Sequence, residues 1–255
     1  MTEALRAEWT KLRTLTGTAW LLAGVVTLTA GVSAAISAAS LQSSAGGDPT
    51  KLALSGIYLG QSPVTVLAVL TISEEYSTGM IRVTLSAIPR RQVLLAAKAV
   101  NLATVTLVAA VLAVTGCLLV GRLMLPGAGY DAAHGYAIVS ITHSPTLRAA
   151  VGSVLYLVLI GLLALGIATA LRDTAVSIGA VLALLYLPAL LAQAVSDPLR
   201  RHIQQISPMT AGLAIQSTTN LRSLPIAPWA GLGVLAAWAA AVLLIAGLLL
   251  RLRDA

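Results

Sequence analysis

Hydrophobicity along this chain comes in long unbroken runs, not in the alternation of a sheet or the one-sided stripe of a soluble helix. The runs Ala19–Ala39, Leu52–Ser73, Val93–Val120, Ala149–Leu171, Ala175–Val195 and Pro228–Leu250 each reach the roughly 20 apolar residues that cross a hydrocarbon core about 30 Å thick. They are apolar all round, as a segment must be when no water is at hand to bond its backbone. The pattern predicts an all-α membrane protein with six transmembrane helices. One domain spans residues 1–255, since too little chain is left for a second, soluble one.

Shorter, amphipathic periodicity fills the ends and connections. Ahead of the first run, Leu5, Trp9 and Leu12 recur at i, i+4 and i+7 with Arg6, Thr10, Lys11 and Arg13 on the other faces, which reads as an interfacial helix over 1–16. A basic flank that only orients the first span is the plainer reading, and it stays open. Leu41–Thr50 is a short polar turn broken at Gly46-Gly47-Asp48-Pro49. Only Leu171-Arg172-Asp173-Thr174 separates the fourth and fifth runs, so they must form an antiparallel hairpin. Between the fifth and sixth runs, Leu199, Ile203 and Ile206 repeat at helical spacing before Pro208 and a second half-apolar piece. That predicts two short outer helices, amphipathic or re-entrant.

Charge then sets the orientation. The chain is 58% hydrophobic and only 10% charged, with a net charge of +7. The cations flank spans, which argues for lipid head groups and topology and against nucleic acid. With the amino terminus in the cytoplasm, Arg6, Lys11, Arg13, Arg82, Arg90, Arg91, Lys98, Arg172, Arg251 and Arg253 fall inside. Lys51, Arg122, Arg148, Arg200, Arg201 and Arg222 fall outside. Both termini are therefore expected in the cytoplasm of a multi-pass cell-membrane protein, and the GC-rich flavour of the composition suggests a bacterial source. The first run reads as a span and not as a cleaved leader, because Glu3 and Glu8 lie in a flank longer than a usual leader's.

Sites with their own chemistry are not evident. Cys117 is the single cysteine, so no intrachain disulfide or paired-cysteine site is possible. No lysine follows a glycine as in a phosphate loop, and no hydrolase or zinc-protease motif occurs. Asp131, His134 and His143 share an outer loop but lack the paired spacing of metal ligands, and no metal is expected. The chain is expected to be no enzyme and to hold no cofactor, so energy must come from a partner or a gradient.

The segment Glu74–Arg91 is the most informative polar interruption between runs, holding two Glu and three Arg. Met80 or Ile81 with Leu85 and Ile88 give one apolar face, Glu74, Glu75, Thr78, Arg82 and Ser86 give polar surface, Gly79 permits a bend and Pro89 ends the helix. Periodicity alone leaves two readings open: a solvated connection held by Arg90 and Arg91 at the head groups, or a short surface helix that meets a partner.

Here the residues resemble a known family. Glu75-Tyr76-Ser77-Thr78-Gly79-Met80-Ile81-Arg82, followed by Leu85, Pro89-Arg90-Arg91 and Lys98, is similar to the E-Y-x-x-G-T-x-R-x-x-L...R...K signature of type-2 ATP-binding-cassette exporter permeases. Glu8-Trp9-Thr10-Lys11-Leu12-Arg13 resembles the opening E-W-x-K-L-R of the same family. Met80 stands where the family often has Thr. The resemblance implies that Glu74, Glu75, Tyr76, Gly79, Arg82, Arg90 and Arg91 belong to a cytoplasmic coupling helix touching a separate ATPase subunit. It implies that Leu5, Glu8, Trp9, Lys11, Leu12 and Arg13 belong to the connecting helix. ATP and magnesium would sit on the ATPase, and the permease would pair with a second copy or a related permease. The cargo would be an antibiotic, a peptide, a lipid-like or another amphipathic compound, exported from the cell.

Lys98 lies one to two turns inside its span, where an ammonium either snorkels to the interface or finds a partner; snorkelling is the expectation, with Asn101 sharing its face. Tyr58, Gln61 and Thr65 around Pro63, and Tyr186 and Gln193 around Pro188, are candidates for a transport pathway or, equally, for helix-to-helix hydrogen bonds. Gly161, Ala164 and Gly166 read as close-packing positions. The rival to an exporter permease is a membrane scaffold or assembly protein that recruits a soluble partner without transporting anything.

Overall fold

The computed structural model describes residues 5–6, 8–10, 16–40, 47–77, 80, 91–131, 134, 136, 139–140 and 142–252. Among these the regular structure is helical, in nine α-helices that we number in chain order. They are α1 (Thr16–Ser40), α2 (Pro49–Ala53), α3 (Ile57–Ser77), α4 (Arg91–Met124), α5 (Ser144–Leu171), α6 (Thr174–Ala194), α7 (Asp197–Ile206), α8 (Pro208–Leu213) and α9 (Pro228–Leu252). Residues 5–6 and 8–10 are helical as well. Five helices, those containing Gly17–Ser40, Gln92–Ala128, Ser144–Leu171, Thr174–Ala194 and Pro228–Leu252, are long and apolar enough to cross a membrane. The chain is an all-α, multi-pass membrane protein.

The distribution of polarity is that of a protein in lipid. Outward-facing positions are apolar: Val108, Leu112 and Leu119 on α4, Leu187 and Leu190 on α6, Leu244 and Leu248 on α9. Polar side chains are buried between helices, among them Gln61, Thr65, Lys98, Asn101 and Ser153. Water would favour the opposite arrangement; hydrocarbon, which offers no hydrogen bonds, favours this one.

At the centre runs α5, with Tyr156, Leu157, Ile160, Leu163 and Leu165 fully buried. It packs against α3, α4, α6 and α9, while α1 lies across α3 and α4. In lipid the hydrophobic effect does not drive such contacts, so close approach through small residues has to. Gly166 is one such contact, where an added Cβ would lie 2.9 Å from Val242 Cγ1. Gly161 sits at ordinary contact distance from Val64, and Ala164 is fully buried.

The run Leu52–Ser73 is not one helix. Short α2 ends at Ala53, a turn covers Leu54–Gly56, and α3 then runs to Ser77. The break falls where α1 crosses: Gly56 N–H donates to Ser33 Oγ at 3.1 Å, and an added Cβ there would meet the Thr29 carbonyl oxygen. Glu74, Glu75 and Tyr76 accordingly form the last turn of α3 and not part of a separate surface helix. Thr78, Gly79 and residues 81–90, which carry the rest of the expected coupling helix including Arg82 and Arg90, lie outside the described residues, as do Lys11, Leu12 and Arg13.

Helices α1, α4, α5 and α9 overrun their apolar stretches, while α6 matches its own to within one residue at each end. Helix α4 has 34 residues, about 51 Å of rise, and continues past Val120 with Gly121 closing over Ala53. The α5–α6 turn is as tight as its length demands: Arg172 takes a left-handed conformation (φ 60°), and the Asp173 carboxylate caps α6 by accepting from Val176 N–H at 2.8 Å. Beyond α6, amphipathic α7 has no buried residue, whereas α8 tucks Met209, Ala211 and Leu213 into the bundle.

Candidate functional site

Polar chemistry concentrates at the two ends of the bundle. At one end Lys98 is 3% exposed, and all three of its N–H donors are engaged. Its Nζ lies 2.8 Å from Glu8 Oε2, 2.8 Å from Glu75 Oε1 and 3.0 Å from the Thr71 carbonyl. Lys98 therefore does not snorkel; two carboxylates and a carbonyl hold it inside. Glu75 is likewise buried, at 7% exposed, and is not the solvent-facing charge that the surface-helix reading requires. Glu74, next to it, is exposed.

This ion triad ties three segments together: the amino-terminal helix, the end of α3 and the first third of α4. Asn101, one turn beyond Lys98, adds a second tie by donating from Nδ2 to the Leu5 carbonyl at 2.9 Å. At the same end the Arg172 guanidinium stands 5.2 Å over the ring of Tyr76, and Arg251 donates to Gln92 Oε1, joining α5 to α3 and α9 to α4. Trp9 borders an apolar groove of about 310 Å³ between α1 and α4. Arg91 is helical at the start of α4.

At the opposite end, about 26 Å away along α3 by residue count from Glu75 to Tyr58, a cavity of about 670 Å³ opens between α3, α6, α7 and α8. Tyr58, Tyr186, Gln193, Arg200, Arg201 and Gln204 line it. Tyr186 holds the wall together, its hydroxyl donating to the Tyr58 carbonyl and lying 3.0 Å from Ser62 Oγ. A smaller space of about 160 Å³ shares Tyr58 and Gln204 and is bordered by Lys51.

Gln61 and Thr65, placed with Tyr58 by the sequence, do not reach the cavity. Both are fully buried. The Gln61 amide accepts from the Tyr156 hydroxyl through Oε1 and donates through Nε2 to the Tyr58 carbonyl at 3.1 Å and to Met209 Sδ at 3.0 Å, which ties α3 to α5 and α8.

The sequence reading overlooked Asp48. Its carboxylate accepts from Thr50 N–H at 3.1 Å and Lys51 N–H at 3.2 Å, capping α2, and from the backbone N–H groups of Thr218 and Thr219, clasping the loop after α8. The Asp-Pro pair at 48–49 is the sequence signal that finds it, since Asp favours the cap and Pro the first helical position. Tyr156 was also missed, lost among the apolar residues of its run. Asp131 and His134 meet at 2.6 Å on the surface; among the described residues no three potential metal ligands cluster.

In comparisons with known proteins, no family model matches the chain and no curated protein matches it.

Proposed function

We propose that this chain is the membrane-spanning permease subunit of an ATP-driven exporter of the type that its two motifs resemble. The observation that carries the reading is convergence. Glu8 belongs to the amino-terminal motif, Glu75 opens the second and Lys98 closes it, and these residues, up to 90 positions apart, meet within hydrogen-bonding distance. Three ionised groups inside a membrane helix bundle are costly unless their geometry matters, so a joint that fixes the amino-terminal helix and the α3 end to α4 has a physical purpose.

In this reading α3 is the sixth span: its 21 residues rise about 32 Å, and its polar groups are tolerated because α1 and α5 cover them. Both termini face the cytoplasm, where most cations fall. The segment after Glu75 meets a cytoplasmic ATPase that binds ATP and magnesium, and the triad passes its movement into α4 and, through the neighbouring polar ties, into α5 and α9. A second permease copy or a related permease completes the pathway. The cargo is an amphipathic compound such as an antibiotic, a peptide or a lipid-like molecule.

Affinity purification of the tagged chain from its native membrane tests this. A nucleotide-binding subunit that co-purifies and gives ATP-dependent transport after reconstitution supports it. Recovery of some other soluble enzyme, with no ATP-dependent transport, supports a membrane scaffold instead.

A further inference from the structure

The cavity between α3, α6, α7 and α8 has a chemistry of its own. Among the described residues lining it there are two arginines and no carboxylate. Arg200 is engaged by Asp197 at 2.5 Å one turn back on α7, but Arg201 makes no ion pair among the described residues. Lys51 borders the adjoining space, and the Asp48 carboxylate beside it is consumed by backbone N–H groups. Neutral donors complete the polar wall: the Tyr58 hydroxyl and the amides of Gln193 and Gln204 make no side-chain hydrogen bonds among the described residues. The facing wall is apolar, built from Ala189, Leu190 and Pro225. At about 670 Å³ the cavity falls in the range that holds a small organic ligand.

We propose that this vestibule binds an anionic amphiphile, a phosphate head group carried on an apolar chain. Arg201 is its principal charge contact, Arg200 and Lys51 supply the surrounding positive field, and Ala189 and Leu190 receive the start of the chain. A guanidinium next to a low-dielectric wall is well matched to a phosphate, offering parallel N–H donors in a plane. The amphipathic helix that carries both arginines lies along the bundle's end, where a head group anchored in the adjacent leaflet can reach them. Binding needs no ATPase; only use of the vestibule as the place where cargo leaves rests on the exporter reading.

The test uses the purified full chain in nanodiscs of phosphatidylcholine, with fluorescent short-chain phosphatidylglycerol as probe and matched phosphatidylcholine and inorganic phosphate as competitors. Phosphatidylglycerol should bind about tenfold or more tighter than phosphatidylcholine. Arg201→Gln and the double variant Arg200→Gln/Arg201→Gln should erase that preference, Arg201→Lys should keep most of it, and Arg222→Gln, outside the cavity, should leave it unchanged. Arg201 is exposed, so its replacement alone does not threaten folding. Equal affinity for the two lipids overturns the proposal, as does unchanged binding by a double variant that elutes like the parent. Complete displacement of the probe by an equal concentration of inorganic phosphate identifies a free-anion site and overturns the amphiphile.

Discussion

The two ends of this bundle treat positive charge in opposite ways. At one end Lys98 is sealed inside with every donor satisfied by Glu8, Glu75 and Thr71; at the other, Arg201 stands at the edge of a cavity with no ion-pair partner among the described residues. A buried charge whose geometry is complete leaves nothing over for a ligand, so its work is positional. An exposed guanidinium beside hydrogen-bond donors and an apolar wall has the groups a ligand needs. The contrast separates a joint from a receptacle along one set of helices, and substitutions should separate them too.

The largest effect is expected at the joint. Lys98→Met strands two buried carboxylates and should destabilise the fold by about 3–5 kcal/mol, read as loss of monodisperse protein and a lowered Tm in detergent. Neutralising all three members, Lys98→Met with Glu8→Gln and Glu75→Gln, should restore much of the stability and none of the transport. If transport survived in the triple variant, the triad would be structural only.

Gln61→Leu comes next. It leaves the buried Tyr156 hydroxyl without its acceptor and should cost about 1–3 kcal/mol in thermal unfolding, with Tyr156→Phe costing less because it removes the stranded group itself. A change in substrate preference with no loss of stability would instead return Gln61 to the pathway. Asp48→Ala removes a helix cap and the clasp on the loop after α8, for about 1–2 kcal/mol, and should raise proteolytic nicking near Thr218. Smallest is Arg201→Gln, within about 0.5 kcal/mol of the parent in stability while changing ligand binding, which is the signature of the receptacle.

How far the sequence shows all this depends on range. Lipid-spanning runs are local properties, and five of the expected six are matched by long apolar helices. The second run fails as a continuous helix because its break at Gly56 is imposed by α1 crossing at Thr29 and Ser33, a contact that hydropathy does not register. Asp48 was readable from its own neighbours. The partners of Lys98 were not: the ammonium is a local fact, but Glu8 and Glu75 reach it only through the packing of three segments. Tyr58 and Gln61 lie three residues apart on one helix, and only the positions of α5 and α6 decide that the first lines a cavity while the second is sealed.

The claim that one end receives force from a cytoplasmic partner can be tested by photo-crosslinking from each end in turn. Cys117 is buried against Ser33 and the Thr29 carbonyl, so this experiment is best left in the native background with a photoreactive amino acid at Ser86 or at exposed Arg222. In native membranes, irradiation should join position 86 to a nucleotide-binding subunit and position 222 to none. No such adduct from position 86, or an adduct from position 222, would contradict the exporter account at its centre.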